Sequence, residues 1–157
     1  QSLAEINSSG RKVGMPQMLD PENWRRNAAG TMEIRYDEND RAIRFETKFP
    51  TGANRWSYPE YTLQLPQESL EGAIGIGFEA KVSKPSAVLQ MLLMAVPEKG
   101  KDVYLKSDAP GGEFREHFIA FPPGLDAGGI RKLRLGVNAL EDEISVSVRN
   151  IRIFYGR

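Results

Sequence analysis

The sequence lacks cysteine altogether and contains a single histidine, His117. The absence of cysteine excludes disulfide frameworks, thiolate catalysis, iron–sulfur clusters and cysteine-ligated zinc. The single histidine excludes every site that needs two, including the H-E-x-x-H metalloprotease motif and histidine-rich metal sites. An isolated histidine within a strand-like segment is typical of a surface or packing residue rather than of a catalytic base.

The sequence also has no excess of one charge and no long apolar run. Its 21 Lys and Arg residues balance 21 Asp and Glu residues, so the basic footprint of a protein that binds nucleic acid or anionic lipid is missing. The longest apolar stretch, residues 89–96, is far shorter than the roughly 20 residues that a membrane-spanning helix needs. We therefore expect neither nucleic acid nor a membrane span.

The chain is long enough for one domain with its own core and a short arm, with 157 residues, 40% hydrophobic and 27% charged. Residues 1–20 are polar and contain Gly and Pro without a sustained period, which indicates an N-terminal arm or linker. Alternatively, Leu3, Ile6 and Val13 would form a short edge strand. Residues 21–157 are assigned to a single domain.

Hydrophobic and polar residues alternate along most of this domain. In residues 41–49, for example, Ile43 and Phe45 share one face while the intervening side chains are polar. About nine such segments follow one another, separated by turns rich in Gly, Pro, Asn and Asp. This pattern predicts an all-β protein, an antiparallel β-sandwich of the jelly-roll type. Residues 87–96 are apolar on both faces, which predicts a central strand covered on both sides.

Two kinds of motif are assigned to structure rather than to chemistry. Residues 75–80 match the loose nucleotide-binding pattern G-x-G-x-x-A, but that site needs a strand-to-helix turn, and Lys84-Pro85 follows instead. We expect these glycines to leave a shallow depression on one sheet face. The acidic clusters at residues 37–40 and 141–143 lack the spacing of a calcium-binding EF-hand and are interpreted as solvated turns.

The aromatic motif at residues 55–61 carries the most functional information. Tyr61 belongs to the core face, so Trp56 and Tyr58 fall on the opposite, polar face. Exposed aromatic rings stack on the C–H faces of sugars while polar neighbours bind the hydroxyl groups. The alternative is that Trp24 or the N-terminal arm covers them. The candidate carbohydrate-binding residues are Trp56, Tyr58, Glu60, Arg44, Glu46, Gln90, Arg134 and Asn138.

Three of these candidates, Arg44, Glu46 and Gln90, depend on the assumption that their strands neighbour that of Trp56. Glu46 and Glu60 also form the one carboxylate pair that could serve catalysis. Glycoside hydrolysis needs two carboxyl groups facing one cleft, about 5 Å or 6.5–9.5 Å apart. A structural or ligand-binding role is the preferred interpretation, and a small jelly-roll glycan hydrolase or lyase that uses this pair is kept as an alternative.

The order of these segments resembles a known group of domains. Residues 44–49 and 55–61 precede a strand within residues 70–79 that contains Gly-Ile-Gly-Phe-Glu, and the chain closes with Arg-Asn-Ile-Arg-Ile within residues 148–154. Over residues 24–155 the chain resembles the galactose-binding-like jelly rolls that occur as carbohydrate-binding modules beside glycoside hydrolases and polysaccharide lyases.

The resemblance implies a non-catalytic module that binds a polysaccharide or oligosaccharide through one sheet face. It also implies a catalytic domain in the same polypeptide and a secreted or periplasmic location in a bacterium. The start at Gln1 rather than Met predicts a processed or excised chain. No cofactor is required, although such modules often hold a structural calcium, for which no ligands are assigned. Some relatives have lost sugar binding, so an accessory structural domain of a glycoside hydrolase is the alternative.

Overall fold

Two β-sheets form the protein in a computed structural model that describes residues 10–52 and 54–156. Short 3-10 helices lie at Pro16–Leu19, Pro21–Asn23, Pro85–Ala87 and Ala127–Gly129. The strands of the described chain are β1 (Arg11–Gly14), β2 (Trp24–Arg25), β3 (Thr31–Asp37), β4 (Ala42–Lys48), β5 (Trp56–Ser57), β6 (Glu60–Thr62), β7 (Ala73–Val82), β8 (Gln90–Pro97), β9 (Val103–Asp108), β10 (Arg115–Ala120), β11 (Ile130–Asn138) and β12 (Glu143–Tyr155).

Each sheet has six strands, and all the strand pairs are antiparallel. The first sheet has the order β10-β7-β12-β4-β3, and β1 pairs with β12. The second sheet has the order β2-β6-β11-β8-β9, and β5 pairs with β11. The predicted all-β antiparallel sandwich is therefore confirmed. The expected number of about nine strands is too low, because β1 was raised only as an alternative, β2 was not foreseen, and the segment 55–65 is interrupted between β5 and β6.

The core between the sheets follows the alternation seen in the sequence. Phe45 and Phe78 point inward from the first sheet and Tyr61 from the second, and each is at most 2% exposed. Burying each of these side chains stabilises the fold by roughly 1.5–3 kcal/mol. A buried hydrogen bond of 2.9 Å between the hydroxyls of Thr47 and Ser57 links β4 to β5. The residues next to Thr47 and Ser57 therefore point away from the core.

The predicted N-terminal arm, residues 1–20, is partly built into the sandwich. Val13 lies in β1, which pairs with β12 at the C-terminal end of the chain. Met18 is fully buried in the core, so this part of the segment packs as an integral piece of the domain. Val13 thus occupies an edge-type strand, as the alternative interpretation had it, whereas Leu3 and Ile6 lie outside the described residues.

The glycines of the nucleotide-like motif lie within β7, on the outer face of the first sheet, and the expected depression there is filled. The ring of Phe118 comes within 2.5 Å of the point where a Cβ on Gly75 would stand, and the ring of Phe154 within 2.6 Å of that point at Gly77. The two rings meet edge to face at 5.3 Å. The glycines therefore make room for aromatic side chains instead of a ligand, which corrects the sequence-based expectation.

The strand β12 carries a bulge that explains how Phe154 reaches this outer face. The pairing of β12 with β7 shifts register between Arg149 and Arg152, and Asn150 has a positive φ of 52°. Val148 points into the core before the bulge and Ile151 does so after it. The alternation is thereby displaced by one residue, so the side chain of Phe154 turns outward.

Candidate functional site

The outer face of the second sheet carries three aromatic side chains, Trp56, Tyr58 and Tyr104, which we call the aromatic face. Trp56 and Tyr58 are half-buried, and Tyr104 is 70% exposed. Trp56 and Tyr58 point outward because Ser57 between them points into the core. Pro59 follows, and the interruption between β5 and β6 falls there because proline has no N–H to donate to the ladder. Trp56 and Tyr58 are thus presented by a segment whose other side is fixed in the core.

Trp56 and Tyr58 stack on each other, with ring centroids 5.5 Å apart and planes 28° apart. The hydroxyl of Tyr58 donates to Asn138 Oδ1 at 2.7 Å, and Asn138 lies opposite Trp56 in the sheet. Burial raises the pKa of Tyr58 above its ordinary value, the hydrogen bond to Asn138 opposes this, and nearby Tyr104 adds to the rise. The phenol therefore stays protonated and keeps its hydrogen bond at neutral pH.

Trp24 does not cover this face, contrary to the alternative raised from the sequence. Its ring lies between the sheets, 4.9 Å from that of Phe45 and 5.5 Å from that of Tyr61. Its indole Nε1 donates to the carbonyl of Met18 at 2.7 Å. Trp24 is therefore a core residue on the opposite side of the second sheet from Trp56.

Tyr104 was missed by the sequence analysis, although the same alternation could have found it. Val103 and Leu105 pack against the core, so Tyr104 between them projects outward from the edge strand β9. Tyr104 lies opposite Met94, which in turn lies opposite Arg134. Three strand spacings, about 14 Å in all, separate β6 from β9, so Tyr104 lies across the sheet from Glu60, on the same outer face as Tyr58.

The outer side chains of β8 form an apolar floor between these aromatic side chains. Gly136 on β11 lies opposite Leu92 on β8, and Leu92 is half-buried. A Cβ on Gly136 would stand 1.8 Å from the carbonyl oxygen of Ser57, so only glycine fits this position. The predicted central strand, residues 87–96, is in fact second from the edge as β8, and its outer face is covered only in part. The apolar outer side chains of β8 are therefore floor residues.

Glu60 lies on the same face but is only 4% exposed, beneath a group of basic side chains. Its carboxylate accepts a hydrogen bond of 2.7 Å from Arg134 Nε, and it lies 3.5 Å from Lys132 Nζ and 3.9 Å from Arg25. Burial alone would raise the pKa of Glu60, but the hydrogen bond from Arg134 and the three positive charges together hold that pKa below its ordinary value. Glu60 is therefore ionised, and it orients Arg134 from below.

Gln90 also belongs to this face, since it alternates with the inward Met91 and lies opposite Asp108 on β9. The second sheet thus brings together six of the eight predicted site residues. The structure adds Tyr104, Asp102 and the floor residues to them. The members that share the outer face are Trp56, Tyr58, Glu60, Gln90, Arg134 and Asn138.

Arg44 and Glu46 do not belong to this group. They lie on β4 in the first sheet and point away from the core, since Thr47 next to them points inward. Glu46 forms an ion pair with Arg35 there. The expected neighbourhood with Trp56 is wrong because β4 and β5, although consecutive, enter different sheets. Glu46 and Glu60 lie on opposite outer faces of the sandwich, so this carboxylate pair cannot face one cleft.

His117 is a packing residue between the edges of the two sheets. It is 4% exposed and its ring stacks on that of Phe78, 5.5 Å away and inclined by 12°. Its Nδ1 lies 3.1 Å from the hydroxyl of Ser107 on β9. Burial lowers the pKa of His117, Arg115 lowers it further, and Asp108 opposes the shift.

A metal site does not emerge from the side chains that the structure describes. Within residues 10–52 and 54–156, no three His, Asp or Glu side chains are grouped so that they could hold an ion. No calcium ligand is named, and the structural calcium stays an expectation from the resemblance. In the same ranges, no helix is long and apolar enough to cross a membrane.

The fold occurs among solved carbohydrate-binding modules. The family 11 module from Clostridium thermocellum, solved with a β-1,3-1,4-mixed-linked tetrasaccharide, has a TM-score of 0.65 over 94% of this chain and 97% of that module, at 16% identity. The mannan-recognising module TmCBM27 has a TM-score of 0.57 over 94% of this chain and 96% of that module, at 14% identity. The sequence itself matches no family model and no curated protein.

The fold also occurs as one part of larger enzymes. The agarase AgWH50C has a TM-score of 0.65 over 95% of this chain, at 12% identity. This chain spans 25% of that agarase and 24% of an exo-β-agarase. The protein therefore has the galactose-binding-like jelly-roll fold, which it shares with solved carbohydrate-binding modules and with one part of these agarases. The resemblance inferred from the sequence is confirmed at the level of the fold.

Proposed function

We propose that this protein is a non-catalytic carbohydrate-binding module that holds a polysaccharide on its aromatic face. The observation that carries the proposal is the arrangement of that face. Trp56 and Tyr58 stand on one side of an open floor and Tyr104 on the other. Hydrogen-bonding side chains from Arg134, Asn138 and Gln90 border the same floor.

Each part of this face matches one feature of a sugar ring. The aromatic rings offer apolar surfaces to the C–H faces of pyranoses, and Gly136 lets the segment that carries Trp56 and Tyr58 lie close against β11. Arg134 and the amides of Asn138 and Gln90 supply donors and acceptors for hydroxyl groups. Binding is expected to be weak to moderate, because an open and wet site desolvates little and a sugar chain loses conformational freedom.

The proteins that share this fold support the proposal, because their descriptions name three kinds of glycan. Proteins that share this fold are described as binding a mixed-linked tetrasaccharide, as recognising mannan, or as agarases. We therefore take mixed-linkage β-glucan, mannan and agarose as the ligands to test. The agarases also support a place beside a catalytic domain in one polypeptide, and polysaccharide binding of this kind favours a secreted or periplasmic location.

Affinity electrophoresis in native gels that contain each polysaccharide tests the proposal. We expect at least one gel to retard the wild type, and Trp56→Ala and Tyr104→Ala to lose most of that retardation, since removal of one stacking residue costs about 1–3 kcal/mol, by analogy with aromatic stacking platforms. Tyr36→Ala is the matched control, because Tyr36 is 40% exposed but lies on the edge strand of the first sheet.

Retardation that survives both aromatic substitutions would place binding elsewhere on the molecule. Absence of retardation in every gel would support the accessory structural domain instead. Thermal unfolding of each variant distinguishes a lost ligand contact from a lost fold.

A further inference from the structure

Arg134 is held between two carboxylates at one end of the aromatic face. Its Nε donates to Glu60 Oε2 at 2.7 Å and its Nη1 donates to Asp102 Oδ2 at 3.3 Å. Within residues 10–52 and 54–156, neither hydrogen bonds nor ion pairs engage its Nη2. The guanidinium is therefore fixed in orientation, while both N–H groups of Nη2 remain for a ligand.

The two carboxylates have different environments. Glu60 is almost fully buried and carries three basic neighbours, so it acts as the anchor from which Arg134 is oriented. Asp102 is 30% exposed in its side chain and lies at the rim, beside the edge strand β9. Any group that reaches Arg134 from solvent therefore approaches Asp102 as well.

The other charged side chains of the face are the basic Arg25, Lys132 and Lys106 and the acidic Asp108. Lys106 and Asp108 lie on β9 opposite Leu92 and Gln90 and offset each other. Arg25 on the edge strand β2 also forms an ion pair with Glu60, and its side chain is 74% exposed. The positive charge of Arg134 itself is compensated by Glu60 on one side and by Asp102 on the other, so Arg134 serves as a hydrogen-bond donor rather than as a free cation.

We propose that this arrangement selects neutral glycans, with Asp102 as the residue that excludes polysaccharides bearing carboxylate or sulfate groups. The inference rests on the proposed function of the aromatic face. A neutral sugar accepts the Nη2 hydrogen bonds through a hydroxyl or ring oxygen and meets no repulsion. An anionic substituent at the same place faces the carboxylate of Asp102 and must compete with Glu60 for Arg134. Glu60 is a positioning residue.

The test compares Asp102→Asn with the wild type in native gels at low salt. The neutral probes are mixed-linkage β-glucan, mannan and agarose, and the anionic probes are alginate and carrageenan. We expect the wild type to be retarded by a neutral gel and by neither anionic gel. Asp102→Asn keeps the side-chain shape but removes the repelling charge, so its affinity for an anionic polysaccharide should rise about threefold to tenfold and become visible as retardation. This gain should fade as salt is added.

Glu46→Gln is the matched control, because it also removes one carboxylate charge that pairs with an arginine, here Arg35, but on the opposite outer face of the sandwich. It should leave retardation by all gels unchanged. Thermal unfolding verifies that Asp102→Asn is folded, and Asp102→Ser provides a second variant with the same loss of charge.

The outcomes separate the two proposals. In one outcome, neutral gels retard the wild type, and anionic gels retard neither Asp102→Asn nor Glu46→Gln. This result overturns the selection by Asp102 and leaves the proposed carbohydrate-binding function intact. Stronger retardation of the wild type by anionic than by neutral gels overturns the selection as well. Failure of every gel to retard the wild type overturns the proposed function and this inference together.

Discussion

At the scale of single residues, Gly136 determines how closely the segment with Trp56 and Tyr58 approaches β11. A Cβ at this position would stand 1.8 Å from the carbonyl oxygen of Ser57 and 2.9 Å from the Cα of Tyr58. Both are backbone atoms, which cannot rotate out of the way. The glycine therefore fixes the place from which two of the three aromatic side chains project.

Gly136→Ala is accordingly expected to destabilise the protein by about 1–3 kcal/mol, as overpacking against fixed atoms does, and to weaken polysaccharide retention in any protein that still folds. Thermal unfolding and the same affinity gels measure the two effects. Gly14→Ala is the control, since no atom lies within 4 Å of its added Cβ, and it should change stability by less than about 0.5 kcal/mol. Equal stability of both variants would contradict the steric account of Gly136.

The sequence predicted individual residues well where alternation alone decides their direction. Trp56 and Tyr58 were placed outward because Tyr61 belongs to the core, and the same rule applied to Tyr104 would have added the third aromatic residue. The need for glycine at position 136 had no such signal. Glycine is needed there because the segment with Ser57 and Tyr58, which is distant in sequence, lies against position 136. The alternation of polar and apolar residues does not encode such contacts.

At the scale of elements, His117 and Ser107 join the edge strands β10 and β9, one from each sheet. Burial disfavours the charged imidazolium, so the folded-state pKa of His117 lies below its unfolded value of about 6.5. As the pH falls through that value, the unfolded chain takes up the proton first. The neutral histidine therefore contributes stability above about pH 6.5 that is lost as the solution becomes more acidic.

The wild type should consequently lose more thermal stability between about pH 7.5 and pH 5.5 than the variant His117→Gln, which cannot titrate in this range. The variant keeps all carboxylates of the wild type, including Asp108, and it keeps Arg115, so their common contribution cancels in the comparison. Parallel pH profiles of the two proteins would show that His117 titrates alike in the folded and unfolded chains.

Strand positions could be predicted from the period of two, but strand partners could not. Residues 41–49 and 55–65 are consecutive, and both alternate, yet β4 joins the first sheet while β5 and β6 join the second. Arg44 and Glu46 were assigned to the site for this reason and lie on the far side. Residues 87–96 looked central because they are apolar on both faces, whereas their outer side chains form the floor of an open face.

At the scale of the whole molecule, the sandwich has two unlike outer faces. The first sheet carries ion pairs such as Arg149 with Glu79, 3.0 Å apart, and the rings of Phe118 and Phe154 that cover its glycines. The second sheet carries the aromatic face. Of the 21 basic and 21 acidic residues, about half of each set form ion pairs within residues 10–52 and 54–156.

The central claim, that Trp56 contacts the glycan, is tested most directly by tryptophan fluorescence during titration with the polysaccharide that retards the wild type. The protein has two tryptophans, of which Trp24 is buried in the core and Trp56 lies on the aromatic face. We expect the emission to change on titration in the wild type and to stay constant in Trp56→Phe, where only Trp24 reports. An equal change in Trp56→Phe, or none in the wild type, would contradict the account.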